Sequence, residues 1–463
     1  MRLLIYSIIF LFGSINFLHA QTDSILSLQE YLGYVKKYHP IVKQARLTVA
    51  QGEAKLLKAR GSFDPKIEVD YDRKKFKNTE YYDKLNTSFK IPTWYGIELK
   101  ANYERNDGTY LNPEFTTPTD GLYSAGVSLS LAKGLLTNRR MATLKQAKLY
   151  TQISNAQQQL LINDILYDAI DTYFLWLKNH QELKVYTDYK SNAKIRLQNV
   201  IKSFKAGDKA EVDTLEANIN YKNRLLDLEK AKISFIKSIF EISNYLWLEN
   251  NLPIELNDNI FPDDDTLNTI DVVLNSSILN VNEDFIENHP KVKMLELKKQ
   301  QLNVERKLKL NNLLPKIDAQ YNFLTSDYDN LRSLSTSNYK AGVNISFPIF
   351  LRKERGDLKL AKLKLQDIDF DLSATKVSLQ NKIRATQQQI QSYLTQNSIT
   401  SNLVNDYKKL VNAEQRKFDL GEGSLFLINY REAKLIETEL KSIQTVNKIL
   451  TSKATLTKYI VNF

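Results

Sequence analysis

The chain has 463 residues, 43% hydrophobic and 25% charged, with a formal charge of +11. The absence of cysteine excludes a disulfide framework, a thiol metal site and a lipid anchor on an N-terminal cysteine. So small a cationic surplus over so long a chain, with no reading motif, excludes nucleic acid as the expected partner.

Residues 1–20 have the form of a secretory signal. Arg2 gives the positive start, Leu3 to Phe12 the apolar stretch, and Ala20 a small residue before Gln21. Gly13, Ser14 and Asn16 break the apolar run, which is too short to span a bilayer. No later segment approaches 18 uninterrupted apolar residues. The chain is therefore expected to be exported, and not lipidated.

A first unit covers 21–249. Ser27-x-x-Glu30 is a capping box opening a helix over 28–38. Pro40 suits the first turn of a second helix, which ends before Pro65. His39, in front of that proline, reads as a turn and cap residue rather than a metal ligand, as does His289 in front of Pro290. His180 is the only other histidine of the exported chain. Barrel strands are then expected over about 66–131. In 66–72 Ile67, Val69 and Tyr71 alternate with Lys66, Glu68, Asp70 and Asp72. Residues 97–104 and 127–131 alternate as cleanly, and 85–91 less strictly. Pro92 to Gly96 makes a short turn that places Trp94 and Tyr95 at an interface girdle, and 106–120 a longer, extracellular loop.

From Asn138 to Phe204 there is neither Pro nor Gly. At 1.5 Å per residue such a run spans on the order of 100 Å, too long for a globular domain and suited to coiled-coil packing. It breaks at a tip near 204–210, where Gly207 suits a left-handed cap, and a return helix runs from Ala210 to about Glu249. Residues 250–283 read as an acidic, irregular connector. Asp263, Asp264 and Asp265 within it are expected to be solvated rather than to hold a cation.

A second unit, 284–463, restates the first. His39-Pro40 and Pro65-Lys66-Ile67 recur 250 residues later as His289-Pro290 and Pro315-Lys316-Ile317. Tyr123-x-Ala125-Gly126-Val127-x-Leu129-Ser130 recurs as Tyr339-x-Ala341-Gly342-Val343-x-Ile345-Ser346. Strands are expected over about 316–350, a long helix over 357–420, a tip near 418–424 with Gly421 and Gly423, and a return helix to about Tyr459. The first unit is longer between its matching points, by about one additional hairpin of roughly ten-residue strands.

Period-two alternation of apolar and charged residues means one dry and one wet face. In an exported chain whose strands have no covering helix nearby in sequence, this favours an outer-membrane barrel, lipid outside and water inside. An open edge cannot persist in lipid, and one chain has too few strands for a water-filled ring, so several copies are expected to share the wall. No nucleotide-binding glycine loop, catalytic Ser/His/Asp spacing or metal cluster is present, so neither an enzyme nor a cofactor is expected. The other reading is a periplasmic structural or adhesive coiled-coil protein without a channel. It explains the helices but not six alternating strands at matching points of two repeats.

The ordered combination of duplication, strands after Pro65 and Pro315, Ser346-Phe347-Pro348-Ile349-Phe350 at a strand end, and two glycine tips resembles the TolC-like outer-membrane efflux proteins. The resemblance covers essentially the whole exported chain. It implies an α+β membrane protein: a homotrimer with one shared outer-membrane β-barrel, a long periplasmic α-helical barrel, and an equatorial region that takes in the connector. The role it implies is the exit duct of a tripartite efflux or type I secretion system in a Gram-negative outer membrane. The implied partners are outer-membrane lipid, a periplasmic adaptor (membrane fusion protein) and an inner-membrane RND or ABC transporter. Gly207, Gly421 and Gly423 would mark the tips where the adaptor docks. The first tip follows the family pattern, with Asp213 six and Glu216 nine residues after Gly207, as candidates to line the aperture. The second departs from it, placing Leu427, Tyr430 and Arg431 at six, nine and ten after Gly421. Tyr430 and Arg431 would instead cross-link neighbouring helices around the aperture.

Exchanging Asp213 and Glu216 for Asn and Gln is expected to weaken cation preference in planar-bilayer recordings. Unchanged selectivity would remove both from the constriction.

Overall fold

The computed structural model describes residues 24–275, 283–330 and 335–461. The expected signal, 1–20, and residues 276–282 of the connector lie outside the described residues.

The first unit opens with β1 (Ser24–Leu26), α1 (Leu28–Tyr38) and α2 (Pro40–Arg60). Ser27 Oγ accepts from the Glu30 N–H at 3.2 Å, the cap expected there. Four strands follow: β2 (Lys66–Phe76), β3 (Thr79–Pro92), β4 (Ile97–Asp107) and β5 (Leu122–Ser130). Lys77 and Asn78 both take positive φ, 47° and 59°, so β2 and β3 join through a two-residue turn that matches the twist of the strands. Next come α3 (Arg139–Lys205) and α4 (Glu211–Ser243). The connector is more regular than expected, with β6 (Ile260–Pro262) and α5 (Thr266–Val273). The second unit holds α6 (Glu283–Asn288), α7 (Pro290–Asn311), β7 (Lys316–Thr325), β8 (Tyr339–Ser346), α8 (Arg352–Asp419) and α9 (Leu425–Ile460).

The strands form one six-stranded antiparallel sheet in the order β2-β3-β4-β5-β7-β8. The additional hairpin of the first unit is thus part of the sheet. Beneath it α2, α3, α7 and α8 pack side by side in that order, and farther down the order is α4, α3, α9, α8. The return helix α4 is shorter than expected. The chain turns after Ser243, whose Oγ accepts from the Leu256 N–H at 2.9 Å, and Trp247 bridges to Pro253. That turn delivers Leu246 and Leu256 to the main core.

The core lies at the helical midpoint, not under the sheet. Tyr31, Leu166, Ile170, Tyr173, Phe174 and Trp176 are fully buried there. The two three-residue strands β1 and β6 pair in parallel beside it. Tyr173 ties them together: its hydroxyl donates to the Leu26 carbonyl at 2.7 Å and accepts from the Asp263 N–H at 3.1 Å. Burial pushes that phenol up to about 12, keeping it a neutral donor. Asp264 meets Lys184 Nζ at 2.5 Å, and Asp263 accepts from the Asp265 N–H, so the acidic triplet forms turn and ion-pair contacts.

His39 and His289 occupy matching cap positions, as expected. Their Nδ1 atoms accept from the N–H groups of Ile41 and Lys291 at 3.2 and 3.1 Å. Burial drives the His289 imidazole down from 6.5 to about 4. The folded chain therefore holds His289 neutral down to that pH, while the unfolded chain protonates near 6.5. Acid in that window favours unfolding, and the stability is fully present above it. Thermal melts of the detergent-solubilised protein are expected to fall as pH drops from 6.5 towards 4. The variant His289→Asn, which keeps a capping acceptor, is expected to show a shallower fall. Equal slopes would contradict this.

Candidate functional site: the sheet wall and the helical tips

The sheet separates two chemistries by strand parity. Ile67, Val69, Leu99, Val127, Val343 and Ile345 project from one face, all exposed. On the other, Asp70, Asn86, Ser88, Lys90, Lys100, Asn102, Glu104, Ser124, Asn322 and Lys340 line a shallow polar concavity that crosses every strand. Lys90 pairs with Glu68 on this side, and Ser130 Oγ donates to Asp318 at 2.9 Å. Aromatic rings collect on the apolar side near the far end of the strands. Tyr103 and Tyr123 lie 4.8 Å apart, and Tyr321 stacks on Tyr339 at 5.5 Å. Trp94 is not part of that group. It stacks on Phe63 at 5.7 Å, at the helical end of the sheet. Apolar bands ending in aromatic girdles are the pattern of a wall between lipid and water. None of the described helices is long and apolar enough to cross a membrane.

At the opposite end the two long hairpins close with the same motif. Gly207 and Gly421 have φ of +86° and +82°, which glycine adopts without a steric penalty. The N–H of Gly207 donates to the Phe204 carbonyl and that of Asp208 to Ser203. Gly421 and Glu422 repeat the pattern with Phe418 and Lys417. The two tips touch. Lys209 Nζ lies 4.9 Å above the Phe418 ring, and Val200, Ala217 and Leu425 form a small core. Gly423 passes so close to Phe418 that an added Cβ would lie 2.7 Å from its backbone nitrogen.

Within one copy the four candidate aperture residues make separate contacts. Asp213 accepts from the Ala210 N–H at 3.3 Å and caps α4. Tyr430 is exposed and stacks on Phe426. Arg431 meets the buried Glu414 at 3.4 Å within its own hairpin. Glu216 alone joins a network between the hairpins, accepting from Asn429 Nδ2 at 3.2 Å.

The centre of that network was not anticipated from the sequence. Arg196 on α3 forms a two-pronged pair with Glu432 on α9, at 3.0 and 2.9 Å. Arg196 is 8% exposed and Glu432 2%. Asn429 and Gln415 accept further guanidinium bonds, and Asn220 donates to Asn429 at 2.7 Å. A sequence signal existed. Tyr189, Ala193, Arg196 and Val200 follow the alternating spacing of four and three of a coiled-coil seam, as Leu425, Ile428, Glu432 and Leu435 follow three and four. Each seam therefore carries one charge among apolar residues, of opposite sign. Buried polar groups in a helical seam can set register between the helices, a role open to this pair.

Residues 282–460 match the family model for outer membrane efflux protein. No curated protein sequence matches the chain. Among solved structures, the Campylobacter jejuni CmeC outer membrane channel aligns with TM-score 0.68 at 15% identity, covering 94% of this chain and 85% of that one. The open state of the Neisseria gonorrhoeae MtrE outer membrane channel gives 0.65 at 12%, covering 94% and 89%. The Vibrio cholerae outer membrane protein VceC gives 0.65 at 9%, covering 94% and 96%. The resemblance drawn from the duplicated strands and glycine tips is borne out, in the second unit by sequence and along most of the chain by fold.

Removing one partner of a buried ion pair strands the other charge and costs roughly 3–5 kcal/mol. Arg196→Met is expected to accelerate amide exchange in the last turns of α3 and the first of α9. The double variant Arg196→Met/Glu432→Leu is expected to restore most of the protection. Exchange unchanged by the single substitution would contradict the pair's role.

Proposed function

We propose that this chain is the outer-membrane exit duct of a tripartite efflux or type I secretion system, passing cargo from the periplasm to the exterior. The observation that carries this reading is the sheet itself: one apolar face ending in aromatic rings, one polar face, and two edges unpaired among the described residues. Such a sheet is satisfied only in a closed ring with lipid outside and water inside.

The helices support the same closure. Along α4, Val212, Leu215, Ile219, Leu226, Ile233 and Phe240 are exposed at heptad spacing. Leu360, Leu363, Phe370 and Val377 do the same on α8. α8 bounds the chain laterally on the side of β8; on the side of β2 the boundary is α2 beneath the sheet, level with the α8 stripe, and α4 farther down. Joining one side to the other by rotation is a head-to-tail contact that closes into a ring, and three copies is the number the family resemblance supplies. In this reading the strands cross the outer membrane and the hairpins reach about 100 Å into the periplasm. The glycine tips meet a periplasmic adaptor, and an inner-membrane transporter of the RND or ABC class supplies the energy. The duct does no chemistry of its own.

Detergent-extracted protein is expected to form stable conducting pores in planar bilayers. Val343→Asp, which puts a carboxylate on the lipid face of an edge strand, is expected to reduce the membrane-assembled fraction several-fold, at a depth-dependent cost below the roughly 2–4 kcal/mol of a Lys or Arg at the midplane. Absence of conductance, or normal assembly of the variant, would contradict the reading.

A further inference from the structure

We infer that the sheet closes on a second copy of this chain by pairing β8 with β2 of the next copy, in the register set by the internal duplication, so that β3 and β4 add two wall strands to every copy. This rests on the conduit reading above and adds how the wall is joined and how wide it is.

Six strands alternate in direction, so β2 and β8, the free edges, run oppositely and can pair antiparallel. The duplication identifies their counterparts. β2 and β7 follow the same Pro-Lys-Ile start, and β5 and β8 share the Tyr-x-Ala-Gly-Val pattern. β3 and β4 lie between the duplicated strands of the first unit and have no counterpart in the second, where β7 pairs directly with β8. Within the chain the last strand of unit one already pairs with the first of unit two: Ser130 opposite Asp318, Leu129 opposite Ala319, Val127 opposite Tyr321. The junction of β8 with the next copy's β2 is the same step one unit later. Transferring the register puts Ser346 opposite Glu68, Ile345 opposite Val69 and Val343 opposite Tyr71.

Three independent features agree with that register. The apolar residues Ile345, Val343, Val69 and Tyr71 all fall on the outer face and Ser346 and Glu68 on the inner one, a match that a one-residue slip destroys. The glycines also agree. At the existing junction a Cβ on Gly126 would lie 2.1 Å from the Tyr321 carbonyl oxygen and 2.4 Å from Asn322 Oδ1, so glycine permits the close approach of the opposite strand. Its duplicate Gly342 has no such neighbour in its own chain, where a Cβ would meet only the flexible end of Gln320 at 3.2 Å. The transferred register brings Asp72 of the next copy to that position. The third feature is strand tilt. Successive partners lead across the sheet from Lys66 through Lys90, Lys100, Gly126 and Asn322 to Lys340. The transferred register sets the next Lys66 opposite Pro348, eight residues beyond Lys340. With ordinary strand spacings that stagger over six strands tilts them by about 42°, within the usual 35–45° of closed barrels whatever the number of copies. Three copies then give eighteen strands and a backbone radius of about 19 Å, the size class that leaves an open aqueous channel.

The chain has no native cysteine, so introduced pairs are the only thiols. Directly opposed residues lie about 4.5–5.5 Å apart at Cα, within disulfide reach, whereas a four-residue offset is far outside it. Full-length protein carrying Glu68→Cys with Ser346→Cys is oxidised in outer membranes and run on denaturing gels. Covalent multimers are expected, with each single variant monomeric and the off-register pair Asp72→Cys with Ser346→Cys uncrosslinked. The lipid-face pair Val69→Cys with Ile345→Cys gives a second reading should the first assemble poorly. Cross-linking of the Asp72 pair overturns the register. Cross-linking by Asn102→Cys with Ser346→Cys overturns the wall, because the ring then closes on β4 with β2 and β3 outside it. An assembled pore that none of these pairs cross-links also overturns the inference while leaving the conduit reading intact. A soluble monomer overturns both.

Discussion

A β-sheet edge is a row of unpaired N–H and C=O groups, and lipid offers them nothing. Each group left bare in hydrocarbon costs several kcal/mol, so a sheet with an apolar outer face is viable there only as a closed ring. Among the described residues this chain makes a six-stranded sheet with two free edges, which in the proposed reading further copies complete. Helices pack side by side below the sheet, and the exposed apolar stripes on α4 and α8 repeat at the helical level the unfinished business of β2 and β8.

Within one copy, the two units are joined by the pairing of β5 with β7 and the packing of α3 on α7, and by two further regions. The main core packs Tyr173, Phe174 and Trp176 of the first unit against Leu450 and Ala454 of the second, and fastens the connector through one tyrosine hydroxyl. The tip is held by opposite means. There the seam between α3 and α9 gives up two apolar positions to Arg196 and Glu432. An apolar pair of equal volume often stabilises as well as a buried ion pair, but it tolerates sliding. A charged pair with fixed hydrogen-bond geometry resists it, and this pair lies within a few turns of the glycine tips.

Much of this was legible in the sequence because periodicity and repetition are local signals. Ile67, Val69 and Tyr71 against Glu68, Asp70 and Asp72 declare a two-faced strand without any knowledge of its neighbours. The repeated Tyr-x-Ala-Gly-Val segment ties β5 to β8. Other features were hidden for physical reasons. The first half of β3 breaks alternation at Glu80-Tyr81-Tyr82-Asp83, because the register shifts there: Lys74 lies opposite Tyr82 and Lys75 opposite Glu80, which leaves Tyr81 as a bulge. β1 and β6 are three residues each, paired across more than two hundred positions, and carry no period. Asp213 and Glu216 share a helix face in the sequence, yet one serves its own helix terminus and the other a neighbouring hairpin. Arg196 and Glu432 are separated by 236 positions, and only packing of one unit on the other shows that each is the other's partner.

The claim at the centre of this account is that copies of the chain complete one another's sheet. Native mass spectrometry of the protein released from detergent micelles tests it most directly. The account predicts a single species of three copies that needs detergent to stay in solution. A monomer that remains soluble and folded without detergent would contradict it.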